Sequence, residues 1–162
     1  MTGGEWPPLL LRRATEADLA PILALERTSF THPWTHGQLR EALRAEATGG
    51  VLILQGPGGG SADLVAYCVL QVVADELNVH TLAVDPAWRR RGIGRWLLEH
   101  ALAAGARRGA ETAFLEVRQS NWAAFELYKS LGFQVVATRR GYYEAPAEDA
   151  FVLRKTGLRS AS

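Results

Sequence analysis

A chain of 162 residues has room for one domain of ordinary size, and two would each be small. With 48% hydrophobic and 22% charged residues it has the make-up of a globular protein, able to bury about 70% of its unfolded surface without a staple. A formal net charge of +1 argues against general nucleic-acid binding, and a single cysteine, Cys68, rules out an internal disulfide and a cysteine-rich metal site.

Residues 1–8 (MTGGEWPP) lack the basic start and apolar core of a secretion signal, and no run approaches the ~18 apolar residues of a membrane helix. The expected setting is cytoplasmic, with no membrane. Residues 1–8 and 156–162 read as tails flanking one domain, 9–155. Leu9 to Leu11 is a short strand. Thr15 and Asp18 form a helix-start pattern, followed by Leu19, Ile22, Leu23, Leu25 and Phe30 at helical spacing. Thr35 to Gln38 repeats the pattern and opens a second helix carrying Leu39, Ala42 and Leu43. Val51 to Leu54 is a strand, and the glycine-rich 56–61 stretch a turn or loop. Strands Leu64 to Val73 and Leu77 to Val84 follow, and Cys68 in the first of them reads as a buried, inert thiol. A helix from Gly92 to about Arg108 turns Ile93, Leu97, Leu98, Ala101 and Leu102 inward. Thr112 to Val117 is a strand and Trp122 to Ser130 a short helix capped by Asn121 or Ser120. Strands Gln134 to Thr138 and Phe151 to Leu153 close the chain.

The order β-α-α-β-β-β-α-β-α-β-β predicts one α/β domain, a mixed sheet of six or seven strands with helices on both faces. The central meander should be antiparallel, and the strand–helix–strand unit Leu77 to Val117 parallel with a right-handed crossover.

The densest chemical signal follows the strand ending Ala83-Val84-Asp85-Pro86. Arg89, Arg90 and Arg91 precede Gly92-Ile93-Gly94-Arg95 as a helix begins. Glycine lets a backbone approach an anion closely, and the free amides and dipole of a helix start favour negative charge. Arginine suits phosphate. Gly-x-Gly alone also fits a plain turn between strand and helix. It is not a Rossmann fingerprint, since Leu97 stands where a third glycine should be, and it lacks the Lys-Ser/Thr ending of a P-loop.

In this context the Arg89-x-x-Gly92-x-Gly94 spacing resembles motif A of the GNAT acetyltransferases. The stretches Leu115-Glu116-Val117-Arg118-x-Ser120-Asn121 and Leu127-Tyr128-x-Ser130-Leu131-Gly132-Phe133 are similar to that family's next motif. Pro33-Trp34-Thr35, Arg139-Arg140-Gly141-Tyr142-Tyr143 and Glu148-Asp149-Ala150 resemble its narrower RimI-type branch of ribosomal-protein alanine N-acetyltransferases. The resemblance covers roughly residues 9–155 and implies acetyl-CoA as cosubstrate and no metal. It implies that the backbone of Leu82, Ala83 and Val84 holds the acetyl-pantetheine arm. Arg90, Arg91, Gly92, Ile93, Gly94 and Arg95 would cradle the pyrophosphate, with Asn121 also contacting the cofactor. It further implies Glu116 as proton acceptor and Tyr128 as proton donor. The acceptor would be a protein or peptide N-terminus, of a ribosomal protein, with no direct contact to nucleic acid, and the enzyme a monomer or weak dimer.

The residues can be read without the resemblance. Glu116 sits in the apolar run Ala113 to Val117, where a carboxylate needs solvent, a partner such as Arg118, or a purpose. Asn121 and Tyr128, seven apart, share a helix face, roughly 10 Å apart along it. Tyr128 alternatively packs on the sheet with its hydroxyl at the surface. Acyl transfer needs a neutral amine, a stabilised oxyanion and a proton for the leaving thiolate. Glu116, amides near Val84 and Tyr128 could supply them in turn. His32, His36, His80 and His100 show no metal-ligand spacing, and His100 should be solvated. Acceptors other than an α-amine, a lysine or a small amine, stay open, as does a silent acyl-CoA-binding domain, although such a binder needs neither Glu116 nor Tyr128.

Overall fold

The computed structural model describes residues 6–58, 63–144 and 147–159, so most of 1–8, the middle of the glycine-rich loop and the end of 156–162 lie outside the described residues. Among them the elements come in the expected order. They are β1 (Leu10–Arg13), α1 (Leu19–Ser29), α2 (His36–Arg44), β2 (Gly49–Gln55), β3 (Leu64–Val73) and β4 (Glu76–Val84), then α3 (Ile93–Arg107), β5 (Thr112–Arg118), α4 (Trp122–Ser130), β6 (Gln134–Glu144) and β7 (Ala147–Lys155). The strands form one mixed sheet in the order β1-β2-β3-β4-β5-β7-β6. β1, β2 and β3 are antiparallel, β4 and β5 run parallel, and β7 pairs antiparallel with both β5 and β6.

The chain forms two compact units, residues 1–71 with 81–101, and residues 72–80 with 102–162. In the first, Ile22 and Leu23 of α1, Leu39 and Leu43 of α2, Val51 and Ile53 of β2, and Tyr67 and Val69 of β3 close into one apolar core. Residues Val65 to Leu70 of β3 are buried without a break, as a central strand covered on both faces requires. Cys68 is among them, and burial pushes its thiol up to about 12. The helix-start pattern at Thr15 opens a single 3-10 turn before α1. The buried Asp18 carboxylate accepts from the Thr15 backbone N–H at 2.7 Å and is held by the Arg12 guanidinium through two bonds of 2.8 Å. Thr35 caps α2 directly, accepting from the Gln38 N–H at 3.2 Å while Gln38 Oε1 accepts from the Thr35 N–H at 2.8 Å.

In the second unit the β5 burial pattern alternates. Ala113, Leu115 and Val117 point inward, while Phe114 and Glu116 lie on the more accessible face. Gly105 of α3 permits a close approach to β4, since a Cβ there would lie 2.8 Å from Leu77 Cδ2.

Three expectations need correction. β1 runs Leu10–Arg13 rather than Leu9 to Leu11, and Phe30 lies just past the end of α1. β6 and β7 extend to Glu144 and begin at Ala147, far beyond the short strands read from sequence. β6 pairs with β7 as far as Arg139 and again at Tyr143 and Glu144, across an irregularity at Arg140 to Tyr142 that no apolar pattern marks.

Candidate active site

The first unit carries the glycine-rich loop. After β4, Asp85 Oδ1 accepts from the Ala87 N–H at 2.9 Å and fixes a 3-10 turn at Pro86–Trp88. Arg89 then turns back, its Nε donating to the Val84 carbonyl at 2.9 Å and its Nη2 to Ser29 Oγ at 3.5 Å. Arg89 is thereby a brace between the loop and the strand end. Backbone φ is −71° at Arg89, +62° at Arg90 and +81° at Gly92, and Arg91 between them lies outside the positive region. Such alternation curls successive N–H groups into a concave, anion-binding nest. A left-handed arginine costs on the order of 1–3 kcal/mol and persists only where its surroundings enforce it. α3 begins directly afterwards at Ile93, adding its unpaired first-turn amides and dipole. Arg90, Arg91 and Arg95 are exposed around the loop, whereas the Ile93 side chain is buried at 1%, so Ile93 can offer a ligand its backbone alone. These residues fit a pyrophosphate.

Leu82, Ala83 and Val84 form the end of β4, past the Glu76–Asn78 stretch that pairs with β5. Just before them, Thr81 belongs to a buried polar cluster that sequence reading missed. Glu26 of α1, 1% exposed, accepts from Thr81 Oγ1 at 3.0 Å, from the Trp34 backbone N–H at 2.9 Å and from the Tyr67 hydroxyl. Burial, then the Glu26 carboxylate, raises the Tyr67 hydroxyl far above its usual range. The cluster ties the Pro33-Trp34-Thr35 connection to β3 and β4. Its signal was available, because Glu26 falls four residues after Ile22 and three after Leu23, on the face that α1 buries.

Another departure is His100. Expected in solvent, it is half-buried, with its ring 3.8 Å from the Trp96 ring centroid and Nδ1 2.9 Å from the Trp96 carbonyl oxygen. His32 and His36 are exposed.

The second unit holds Glu116, whose side chain is 31% exposed. Its Oε2 pairs with Arg139 Nε at 2.9 Å, and its Oε1 accepts from the Tyr142 hydroxyl at 3.3 Å. The nearer candidate is Arg118. It pairs with Glu148 at 3.0 Å and stacks on the Tyr143 ring at 3.9 Å. Burial and the Glu116 carboxylate raise the Tyr142 hydroxyl above its ordinary range. Crowding lowers the His80 imidazole below its own, with Glu116 pulling the other way. Asn121 caps α4, its Oδ1 accepting from the Ala124 N–H at 3.2 Å. Tyr128, further along α4, is half-buried with its ring edge toward Phe133 at 6.1 Å. Among the described residues no three His, Cys, Asp or Glu side chains group as metal ligands, and no helix is long and apolar enough to cross a membrane.

The first unit thus carries a strand end, a nested loop and a helix start, and the second an accessible carboxylate on β5. The profile of the acetyltransferase (GNAT) family matches residues 19–133, and the chain belongs to that family. It is 47% identical over 92 residues to the [ribosomal protein bS18]-alanine N-acetyltransferase of Salmonella typhimurium, a match covering 56% of this chain and 62% of that protein. The protein of that name from Haemophilus ducreyi is 31% identical over 137 residues, covering 85% and 90% of the two chains. The crystal structure of the ribosomal-protein-S18-alanine N-acetyltransferase from Escherichia coli superposes with a TM-score of 0.81 at 33% identity, covering 92% of this chain and 94% of that one.

Proposed function

We propose that this protein is an acetyl-CoA-dependent N-acetyltransferase acting on the α-amine of an N-terminal alanine, that of a small-subunit ribosomal protein. The observation that carries the donor half is the alternation of φ at Arg89, Arg90 and Gly92 immediately before α3. Bound acetyl-CoA would supply an acetyl thioester. Arg90 to Arg95 would hold its pyrophosphate, the backbone of Leu82 to Val84 its arm, and Asn121 a further contact. Asn121 Oδ1 already caps α4, so its contact would come from the side-chain amide NH2 or the backbone.

The chain's own groups do the proton work in this reading. Glu116 takes a proton from the acceptor ammonium, directly or through a water. Its carboxylate is held in place by Arg139 and Tyr142 yet stays partly open to solvent. Amides near Val84 stabilise the developing oxyanion. Tyr128 Oη donates to the departing sulfur. Reference values of ~8.5 for a thiol and ~10 for tyrosine make full transfer uphill by about 2 kcal/mol, so Tyr128 acts as a hydrogen-bonding acid.

The acceptor follows from the same scale. An α-amine has a reference pKa of ~7.7–8.0 against ~10.4 for lysine, about 3.5 kcal/mol easier to deprotonate near neutral pH. One carboxylate suits the easier amine, and the names of the relatives support a protein N-terminus. A peptide beginning with free alanine followed by basic residues should be acetylated at its α-nitrogen, read by mass spectrometry. The same peptide with a blocked N-terminus and an internal lysine should be a far poorer substrate. Faster reaction at lysine would defeat the α-amine assignment and leave the family membership standing.

A further inference from the structure

We propose that Trp6 is a positioning residue for the phosphate-binding loop; this rests on reading Arg90 to Arg95 as the pyrophosphate seat. The indole Nε1–H of Trp6 donates to the Arg91 carbonyl oxygen at 3.0 Å, across 85 positions of sequence. Its ring meets the Trp96 ring edge-on, with centroids 5.9 Å apart and planes at 82°. The Arg91 guanidinium lies 5.0 Å from the Trp88 ring centroid. Arg91 is therefore gripped at its carbonyl by one tryptophan and at its side chain by another.

The grip falls where the loop is most constrained. Arg91 stands between Arg90 at φ +62° and Gly92 at φ +81°. A trans peptide is planar, with its C=O and N–H pointing opposite ways. Capturing the Arg91 oxygen therefore fixes the direction of the Gly92 N–H, an amide the nest needs for its anion. Without the capture, the Arg91–Gly92 peptide can rotate as a unit, which changes ψ of Arg91 and φ of Gly92, and the φ alternation lapses at Gly92. The Trp96 contact gives Trp6 a rigid seat on α3, so the bond is made at little further entropic cost.

The test compares the whole chain with its Trp6→Phe and Trp6→Ala variants. Trp6→Phe keeps a ring against Trp96 and loses the donor. The donors are acetyl-CoA and acetyl-pantetheine, which carries the same thioester without the pyrophosphate. Trp6→Phe should raise KM and Kd for acetyl-CoA about three- to tenfold, the range of one net hydrogen bond. Its kcat, acceptor KM and melting temperature should stay close to wild type, and Trp6→Ala should lose more acetyl-CoA affinity. Unchanged acetyl-CoA affinity in both variants, or an equal rise in the acceptor KM, overturns the proposal. A wild-type enzyme that uses acetyl-pantetheine as well as acetyl-CoA overturns the pyrophosphate seat itself, and the role of Trp6 with it.

Discussion

Glu116 shows how far a single residue could be read from sequence. Its strand position and its singularity in an apolar run were legible, because alternation along β5 is local. Its partners were not. Arg139 and Tyr142 lie more than twenty positions away, on a strand whose length no pattern announces, and Arg118, the nearby candidate, is taken by Glu148. Glu116→Gln should keep acetyl-CoA binding while turnover falls by roughly 10²–10⁴-fold, the span of general acid–base catalysis. The loss should be greatest at low pH, where fewer acceptor amines are already neutral. Tyr128→Phe should fall within the same range in kcat at unchanged acetyl-CoA Kd. Steady-state rates across pH and calorimetry measure both, and near-wild-type turnover in Tyr128→Phe would reduce Tyr128 to its packing against Phe133.

The helices were the most legible elements, because capping chemistry and apolar spacing are both written locally. α2 shows this best, with its reciprocal Thr35–Gln38 bonds and with Leu39 and Leu43 buried. At Thr15 a similar pattern, with Asp18 in the place of Gln38, opens a 3-10 turn instead, and the Asp18 carboxylate is shared with Arg12. Thr35→Ala should cost ~1 kcal/mol of stability in urea unfolding, the usual loss for a helix cap. A change below a few tenths would mean that Gln38 alone holds the end. β6 was legible only in its first residues. Every position but Tyr143 is exposed, its register slips against β7 between Arg139 and Tyr143, and an edge strand held by backbone bonds needs no alternating pattern.

At the scale of the whole molecule, the order of elements and the parallel β4–β5 pairing followed from how helices and strands alternate. The contacts that define the candidate site did not. Trp6 to Arg91, Glu26 to Tyr67 and Thr81, and Glu116 to Arg139 join distant residues, and periodicity carries nothing about them. Cys68 lies at the middle of β3, fully covered, with its thiol pushed up to about 12. Thiolate is the reacting species, so the folded chain should stay inert to a disulfide dye and react only as β3 opens. Labelling in mild urea should track global unfolding, and acetyl-CoA at ~100 times its Kd should slow it about 100-fold if that opening releases the ligand. Prompt labelling of the native chain would show β3 opening by itself. The silence of that one sulfur has a practical side. In the transfer proposed here each turnover liberates a free thiol, so the same dye can count product continuously against an enzyme that contributes no colour of its own.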